Sequence, residues 1–487
     1  MGKVESEIQQ RKSFSVTGSF VISKQLIGRI LAIVALLGIM FFVPTSDSLS
    51  LEAKKVLAVA VFAIIVWATE AFNDAVSGLI IVFLLAALKA TSAGDAFIGY
   101  SKTSLWLLVV GFIMAAGLDK AGLSKRIALH LISLAGGSAK RIYWAIATVM
   151  AILTFLVPSI TARTMLMLPI ILGIAKAFKA ETGKSNIVKA LFFIVAFSGT
   201  LMSIGVLTAH AANPVTVGLI AQATGENISW SEWFRVGGPP ALVSGFLSVF
   251  LIQLLWPPEI KQIDNSQKYV REELKKMGQI SRDEKYILLV FLLTLALWAT
   301  DSIHGINSTV VGMVAVIFIL WPGLGTMTWK EAQGKVPWNV FILYGAGLSM
   351  GGAMVSSGAA NWLAENTLSP LIGFSNQMQL IILIWIVTVL QVFFTGGGPK
   401  TTALTPIILA HAISIGADPL IFALIMGMNM QHQYLLPVSN MPNAVIMGTG
   451  ELKSTELIRT GAVFSIAGAA FFTLMVFTYW NWIGISL

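Results

Sequence analysis

Apolar stretches close to the length of a bilayer crossing recur along this sequence, and few charges separate them. A spanning helix needs about 20 mostly apolar residues. Candidates lie near residues 27–43, 54–70, 75–89, 104–118, 142–157, 188–207, 238–256, 285–301, 306–321, 338–354, 376–394, 419–436 and 460–482. Several are short or interrupted by Gly and Pro. The pattern predicts about 11 crossings plus broken or re-entrant segments, which a bilayer tolerates only when protein buries them. Charged residues are 11% of the 487 and hydrophobic ones 56%, against roughly 25% charged in a soluble protein. The natural solvent for such a surface is membrane lipid, so the chain reads as an all-α integral membrane protein.

The absence of cysteine excludes disulfides, thiolate catalysis and Cys-based metal sites. No Walker A motif is present, so direct ATP drive is not encoded. The sequence offers no metal or nucleophile constellation for an enzyme. The net charge of +9 follows the excess Lys and Arg of cytoplasmic loops, and no nucleic-acid partner is implied. Residues 1–29 carry Lys3, Arg11, Lys12, Lys24 and Arg29 and read as a cytoplasmic N-terminal segment, not a cleaved signal. The first half spans 30–257. Residues 258–285 hold Lys261, Lys268, Arg271, Lys275, Lys276, Arg282 and Lys285, which predicts a cytoplasmic linker containing an interfacial helix. The second half spans 286–487. The turn 301–307 and the C-terminal residues 483–487 lack Lys and Arg, so both are expected outside.

The halves resemble each other. Pro158-Ser-Ile-Thr-Ala-Arg163-Thr164 leads to Leu168-Pro169-Ile170-Ile171-Leu172, and Gly396-Gly-Gly-Pro-Lys400-Thr401 leads to Thr405-Pro406-Ile407-Ile408-Leu409. One constant offset places Lys400 on Arg163, Thr401 on Thr164 and Pro406 on Pro169. Downstream, Asn213-Pro-Val-Thr-Val-Gly218 matches Asn443-Ala-Val-Ile-Met-Gly448. Each is followed by Arg-x-Gly, at Arg235-Val-Gly237 and Arg459-Thr-Gly461. Upstream, Gly111 and Gly117 are spaced like Gly345 and Gly351. Duplication with interrupted helices marks many secondary transporters, whose halves often have opposite topology and bind substrate near the midplane.

Candidate site residues follow from the two polar stretches. Free backbone N–H groups at a helix N-terminus attract anions, and hydroxyls add hydrogen bonds. Ser159 and Thr161 are therefore expected to bind a carboxylate, with helix capping as the plainer reading. Gly396, Gly397 and Gly398 expose backbone N–H groups and let a ligand approach, with a hairpin tip lacking a ligand as the alternative. Thr401 follows in the first turn of the next helix.

Arg163 and Lys400 are cations in the first turn of a helix, the wrong end for the macrodipole. An intramembrane charge costs a few kcal/mol or more. Both are expected either to contact a dianion or to stand where a coupling cation would sit; snorkelling to an interface is the bland alternative. Around Asn213 and around Pro442 and Asn443 the helical pattern breaks again. These residues complete the candidate substrate-binding set through freed carbonyls or by orienting the stretches. His210, His411 and His432 lack zinc-ligand spacing and read as packed or hydrogen-bonded. Glu70 reads as a structural residue at a helix end.

Four segments carry a family resemblance: Trp67-Ala-Thr-Glu-Ala, Gly122-Leu-Ser-Lys-Arg-Ile-Ala-Leu129, Pro158-Ser-Ile-Thr-Ala-Arg163 and Leu436-Pro-Val-Ser-Asn-Met-Pro-Asn-Ala444. The last is close to Leu-Pro-Val-Ala-Thr-Pro-Pro-Asn-Ala. The chain resembles the divalent anion/sodium symporter family of dicarboxylate transporters over nearly all its length beyond residue 25. The resemblance implies an inverted-repeat transporter with broken helices and two re-entrant hairpins. It implies a scaffold and a mobile transport domain working as an elevator, in a homodimer at the cell membrane. The family's hairpin tips read Ser-Asn-Thr and help enclose Na⁺. Here they read Ser159-Ile160-Thr161 and Gly396-Gly397-Gly398.

The Ala-Arg after the first tip is similar to the family's exchangers. With no cofactor or bound metal expected, Arg163 and Lys400 would replace the charge of Na⁺. The expectation is Na⁺-independent exchange of malate, succinate, fumarate or 2-oxoglutarate. A Na⁺-coupled symporter is the alternative, with citrate, tartrate or sulfate as more remote substrates. An anion channel would conduct without saturable exchange.

Overall fold

Hydrocarbon offers no water to backbone groups, so each spanning segment must satisfy its own peptide hydrogen bonds. The computed structural model does this with helices throughout its described residues, 23–394 and 396–485. Residues 1–22 of the N-terminal segment, Thr395 in the second polar stretch, and residues 486–487 of the expected external end lie outside the described residues. Among the described residues nine helices are long and apolar enough to cross a bilayer. Three shorter apolar helices, Asp74–Ala87, Ser308–Leu320 and Pro419–Asn429, accompany them.

Side-chain caps start these helices. Ser23, Ser50 and Asn73 accept from the first-turn N–H groups of Lys24–Phe42, Leu51–Thr69 and Asp74–Ala87. Reciprocal Ser229–Glu232 and Ser281–Glu284 pairs open Trp230–Leu255 and Arg282–Ala299. Glu70 ends Leu51–Thr69 with φ 52°, in the structural position its sequence context suggests.

Two long helices fall where no span is predicted, Ile160–Ala177 and Gly397–Ser414. Each has a polar first turn and an internal proline, Pro169 or Pro406, which interrupt the apolar run. Trp230–Leu255 likewise begins well before the span at 238–256, because its first turns carry the charged Glu232 and Arg235; Pro239 and Pro240 lie inside the helix. The linker contains the helix Asp264–Met277, which packs on Leu123–Leu134 and Ile160–Ala177. Lys125 Nζ meets Glu273 at 2.9 Å. Arg126 bonds Glu284 at 2.5 Å and donates to the carbonyls of Met277 and Gly278, closing the C-terminal end of that helix.

The downstream repeat has a structural reason. Asn213 Nδ2 donates to Ser203 O at 3.0 Å and Val206 O at 3.0 Å, ten and seven residues back. Asn443 Nδ2 donates to Gln433 O at 3.3 Å and Leu436 O at 3.0 Å, also ten and seven back. Each asparagine adds a side-chain donor to carbonyls of its broken helix, three of which also accept from a backbone N–H in a tight turn. The Arg-x-Gly glycines serve the same breaks. A Cβ on Gly237 would lie 3.3 Å from Gly205 Cα, and one on Gly461 would lie 2.2 Å from Tyr434 O and 3.1 Å from Leu435 Cα. At Gly461 backbone meets backbone, so only glycine fits; at Gly237 a Cβ would first meet Met428 Cε at 2.5 Å. The upstream glycines share no such partners: Gly111 faces Pro158, and Gly345 faces Tyr100.

Gly461→Leu should therefore overpack a rigid contact and cost about 1–3 kcal/mol. A thermal melt in detergent is expected to show a lower midpoint than the parent protein; an unchanged midpoint would contradict the assigned contact.

Candidate functional site

Two junctions face one cavity. At the first, Pro158 disfavours helix for the residue before it, and Val157 is extended with φ −119° and ψ 103°. Ser159 is also extended, and its Oγ accepts from Ala162 N at 3.2 Å to start Ile160–Ala177. At the second, Gly396 has φ 142°, a conformation L side chains rarely adopt, and Gly397 starts Gly397–Ser414. A Cβ on Gly397 would lie 2.1 Å from Gln431 Oε1, and one on Gly398 would lie 2.1 Å from Tyr344 Cε1 and 2.2 Å from its hydroxyl. The glycines thus bring backbone against two polar side chains that larger residues would displace.

The cavity has a volume of about 840 Å³. Ser159, Ile160 and Thr161 line it from one junction, and Gly396, Gly397, Gly398 and Pro399 from the other. His210 and Asn440 contribute from the two downstream breaks, and Tyr344 from the helix Trp338–Ser356. Asp74, Asp119 and Lys335 supply exposed charges on its lining. Near Lys335, Lys120 Nζ meets Glu331 at 2.7 Å. That ammonium, with the Thr328 N–H, holds the Glu331 carboxyl down at about 2. Both partners are exposed, so the pair adds little stability.

The two cations sit behind the junctions. Each is the fourth residue of its helix, and each is fully buried. Arg163 donates to Thr154 Oγ1, to Ser203 Oγ at 2.6 Å and to Ala209 O at 2.9 Å. It thereby joins the helix before the junction to the first downstream break. Lys400 Nζ has no hydrogen-bond partner among the described residues. Neither cation lines the cavity, and neither do Thr401, Asn213, Pro442 or Asn443. Thr401 accepts from Gln431 Nε2 at 3.3 Å. The four are buried and support the junctions from behind.

Na⁺ in such a fold needs oxygen ligands from the breaks. Asn213 already bonds Ser203 O and Val206 O, and Arg163 bonds Ala209 O. A cation placed against the first break would meet the Arg163 guanidinium, while Asn213 Oδ1 is left there without a partner.

Some lining residues escaped the sequence reading. Tyr344 and Asn339 sit in or beside apolar helix with nothing to mark them, and Asn440 was absorbed into a motif. His210 reads as packed and proves to line the cavity, its Nδ1 accepting from Ala212 N at 3.2 Å. His411 bonds Gln379 at 2.7 Å and His432 bonds Asn429 at 3.1 Å, the hydrogen-bonded roles expected of them.

This geometry agrees with comparison to known proteins. The family profile described as "Sodium:sulfate symporter transmembrane region" matches residues 24–486. A protein of Cupriavidus necator named only "Membrane protein" is 31% identical, covering 93% of this chain and 92% of that one. The "Sodium-dependent dicarboxylate transporter SdcS" of Staphylococcus saprophyticus is 27% identical, covering 97% and 93%. The solved structure of the Alcanivorax borkumensis YdaH transporter, described as having an unusual topology, aligns with a TM-score of 0.55 at 13% identity, over 82% of this chain and 89% of that one, a likeness of fold. The chain is a multi-pass membrane transporter, not an enzyme. It belongs to the sodium:sulfate symporter family, the divalent anion:Na⁺ symporters.

Gly398→Ala would press a methyl group into the Tyr344 ring. A strain of about 1–3 kcal/mol at the junction should lower uptake about tenfold or more in proteoliposomes, with normal elution on size exclusion. Full activity in this variant would show that the junction does not need the close approach.

Proposed function

We propose that this transporter exchanges C4 or C5 dicarboxylates (malate, succinate, fumarate or 2-oxoglutarate) without Na⁺. The carrying observation is Arg163, fully buried behind the first junction and bonded to a carbonyl of the break. The hydroxyls of Ser159 and Thr161 at one junction and the glycine backbone of the other suit a carboxylate at each end of a short dianion. The name of the Staphylococcus relative supports a dicarboxylate as the class of substrate.

An unpaired buried charge resists movement through apolar surroundings. A carrier holding the fixed charge of Arg163 is therefore blocked when empty. A bound dianion cancels that charge together with the charge of a protonated Lys400, and frees it to move. Uptake on one side then requires release on the other. The junctions are read as tips of two re-entrant hairpins in inverted repeats, carried by a transport domain that slides against a scaffold within a homodimer.

The linker's Lys and Arg residues support a cytoplasmic linker and N-terminus, with the C-terminus outside. The helix Leu123–Leu134 contributes Ser124 to the cavity and Lys125 to the linker contact, so the cavity reads as open to the cytoplasm.

A second reading, Na⁺-coupled symport, is favoured by the same relative's description as sodium-dependent. Counterflow separates the two. Proteoliposomes loaded with unlabelled succinate should take up labelled succinate equally in Na⁺ or K⁺ medium, and empty vesicles should not. Uptake into empty vesicles driven by inward Na⁺ would establish symport instead. Citrate, tartrate and sulfate belong in the same competition series. Arg163→Ala should abolish exchange or make it depend on Na⁺ or protons; normal exchange in that variant would remove Arg163 from the mechanism.

A further inference from the structure

The two repeat cations differ in a way that the repeat does not require. Arg163 has three acceptors, from Thr154, Ser203 and Ala209. Lys400, at the same helical position and equally buried, has none among the described residues. A guanidinium stays protonated under all ordinary conditions, whereas a buried ammonium can shed its proton. An unpartnered ammonium in an apolar setting favours the neutral amine, and a nearby negative charge favours the ammonium. The source of that negative charge is adjacent: Gly398 and Pro399, the two residues before Lys400, line the cavity.

Among the described residues no acidic side chain pairs with Lys400. Its helix packs against Ala212–Thr224 and Pro419–Asn429, which carry no titratable group. Trp338–Ser356 brings Tyr344 against Gly398. Ala359–Leu368 carries Glu365, which is exposed, and Leu51–Thr69 carries Glu52, Lys54 and Lys55 in its first turn. His411 on the lysine's own helix is bound to Gln379. His432 lies within electrostatic reach of Lys400, and its Nε2 has no partner. Tyr434 Oη is also without a partner. No ion pair to Lys400 occurs among the described residues.

We propose that Lys400 is a proton-binding site linked to the substrate: its amine is neutral when the cavity is empty and takes one proton from water when a dicarboxylate dianion binds. This rests on the exchange reading above and sharpens it. The loaded site holds the two negative charges of the substrate, the fixed charge of Arg163 and the acquired charge of Lys400. The proton leaves with the substrate. Arg163 alone still blocks the empty carrier, so exchange stays obligatory. Linkage is reciprocal: a dianion that draws a proton binds more weakly where protons are scarce.

The test uses the purified full-length protein and fumarate, between about pH 6.5 and 9.5, where ordinary carboxyl groups with pKa near 4 are fully ionised. In weak buffer, adding fumarate should raise the pH by an amount approaching one proton per site at the alkaline end. Fumarate affinity should fall with rising pH, with a limiting slope of about tenfold per unit. Lys400→Arg should bind fumarate with no proton uptake and a flat profile. Lys400→Gln should bind weakly at every pH, also with a flat profile.

Fumarate binding to the wild-type protein with no proton uptake would overturn the proton site and leave the dicarboxylate reading intact. Proton uptake that persists unchanged in Lys400→Arg would overturn Lys400 as its seat. If fumarate, malate, succinate and 2-oxoglutarate all failed to bind the wild type, the dicarboxylate reading would fall and this inference with it.

Discussion

A guanidinium at the centre of a membrane protein must find acceptors, because an unpaired buried charge is among the most costly groups a fold can hold. Arg163 finds them in three places: the helix before the junction, the helix Asn186–Ile204, and the break beyond it. The first half of the molecule is organised by that need. Thr154 and Ser203 face inward because the cation is there, and the break at Ala209 supplies a carbonyl that a continuous helix would have used itself. The same bonds engage Thr154 Oγ1, Ser203 Oγ and Ala209 O.

The broken helices are held by matched devices. Asn213 and Asn443 close equivalent carbonyls at equal sequence separations, and Gly237 and Gly461 let a neighbouring helix approach each break. Irregular backbone at membrane depth is thereby satisfied inside the protein. The cavity wall is less symmetrical. One junction presents hydroxyls. The other presents three glycines packed against Tyr344 and Gln431. The duplicated framework is thus kept where backbone must be satisfied and relaxed where a ligand is met.

Much of this was legible in the sequence. The low charge content required lipid, and the offset pairing Arg163 with Lys400 put both at the fourth position of a helix. The paired Asn and Gly residues marked the breaks. Other features were hidden for physical reasons. Ile160–Ala177 and Gly397–Ser414 did not read as spans, because a polar first turn and an internal proline interrupt their apolar runs, although Ile160–Ala177 taken whole is apolar enough to cross a bilayer. Tyr344 and His210 carry no local signal, since they reach the cavity through packing between distant segments. The contrast between an Arg163 with three acceptors and an unpartnered Lys400 needed coordinates as well, since both sequence contexts are apolar.

The central claim is that fixed protein charge stands where a coupling cation would otherwise bind. Isothermal titration of the purified wild-type protein with NaCl, against a choline chloride reference at equal ionic strength, tests it most directly. The account predicts no saturable Na⁺-specific heat, with or without saturating succinate. A saturable Na⁺ isotherm that strengthens succinate binding would contradict it.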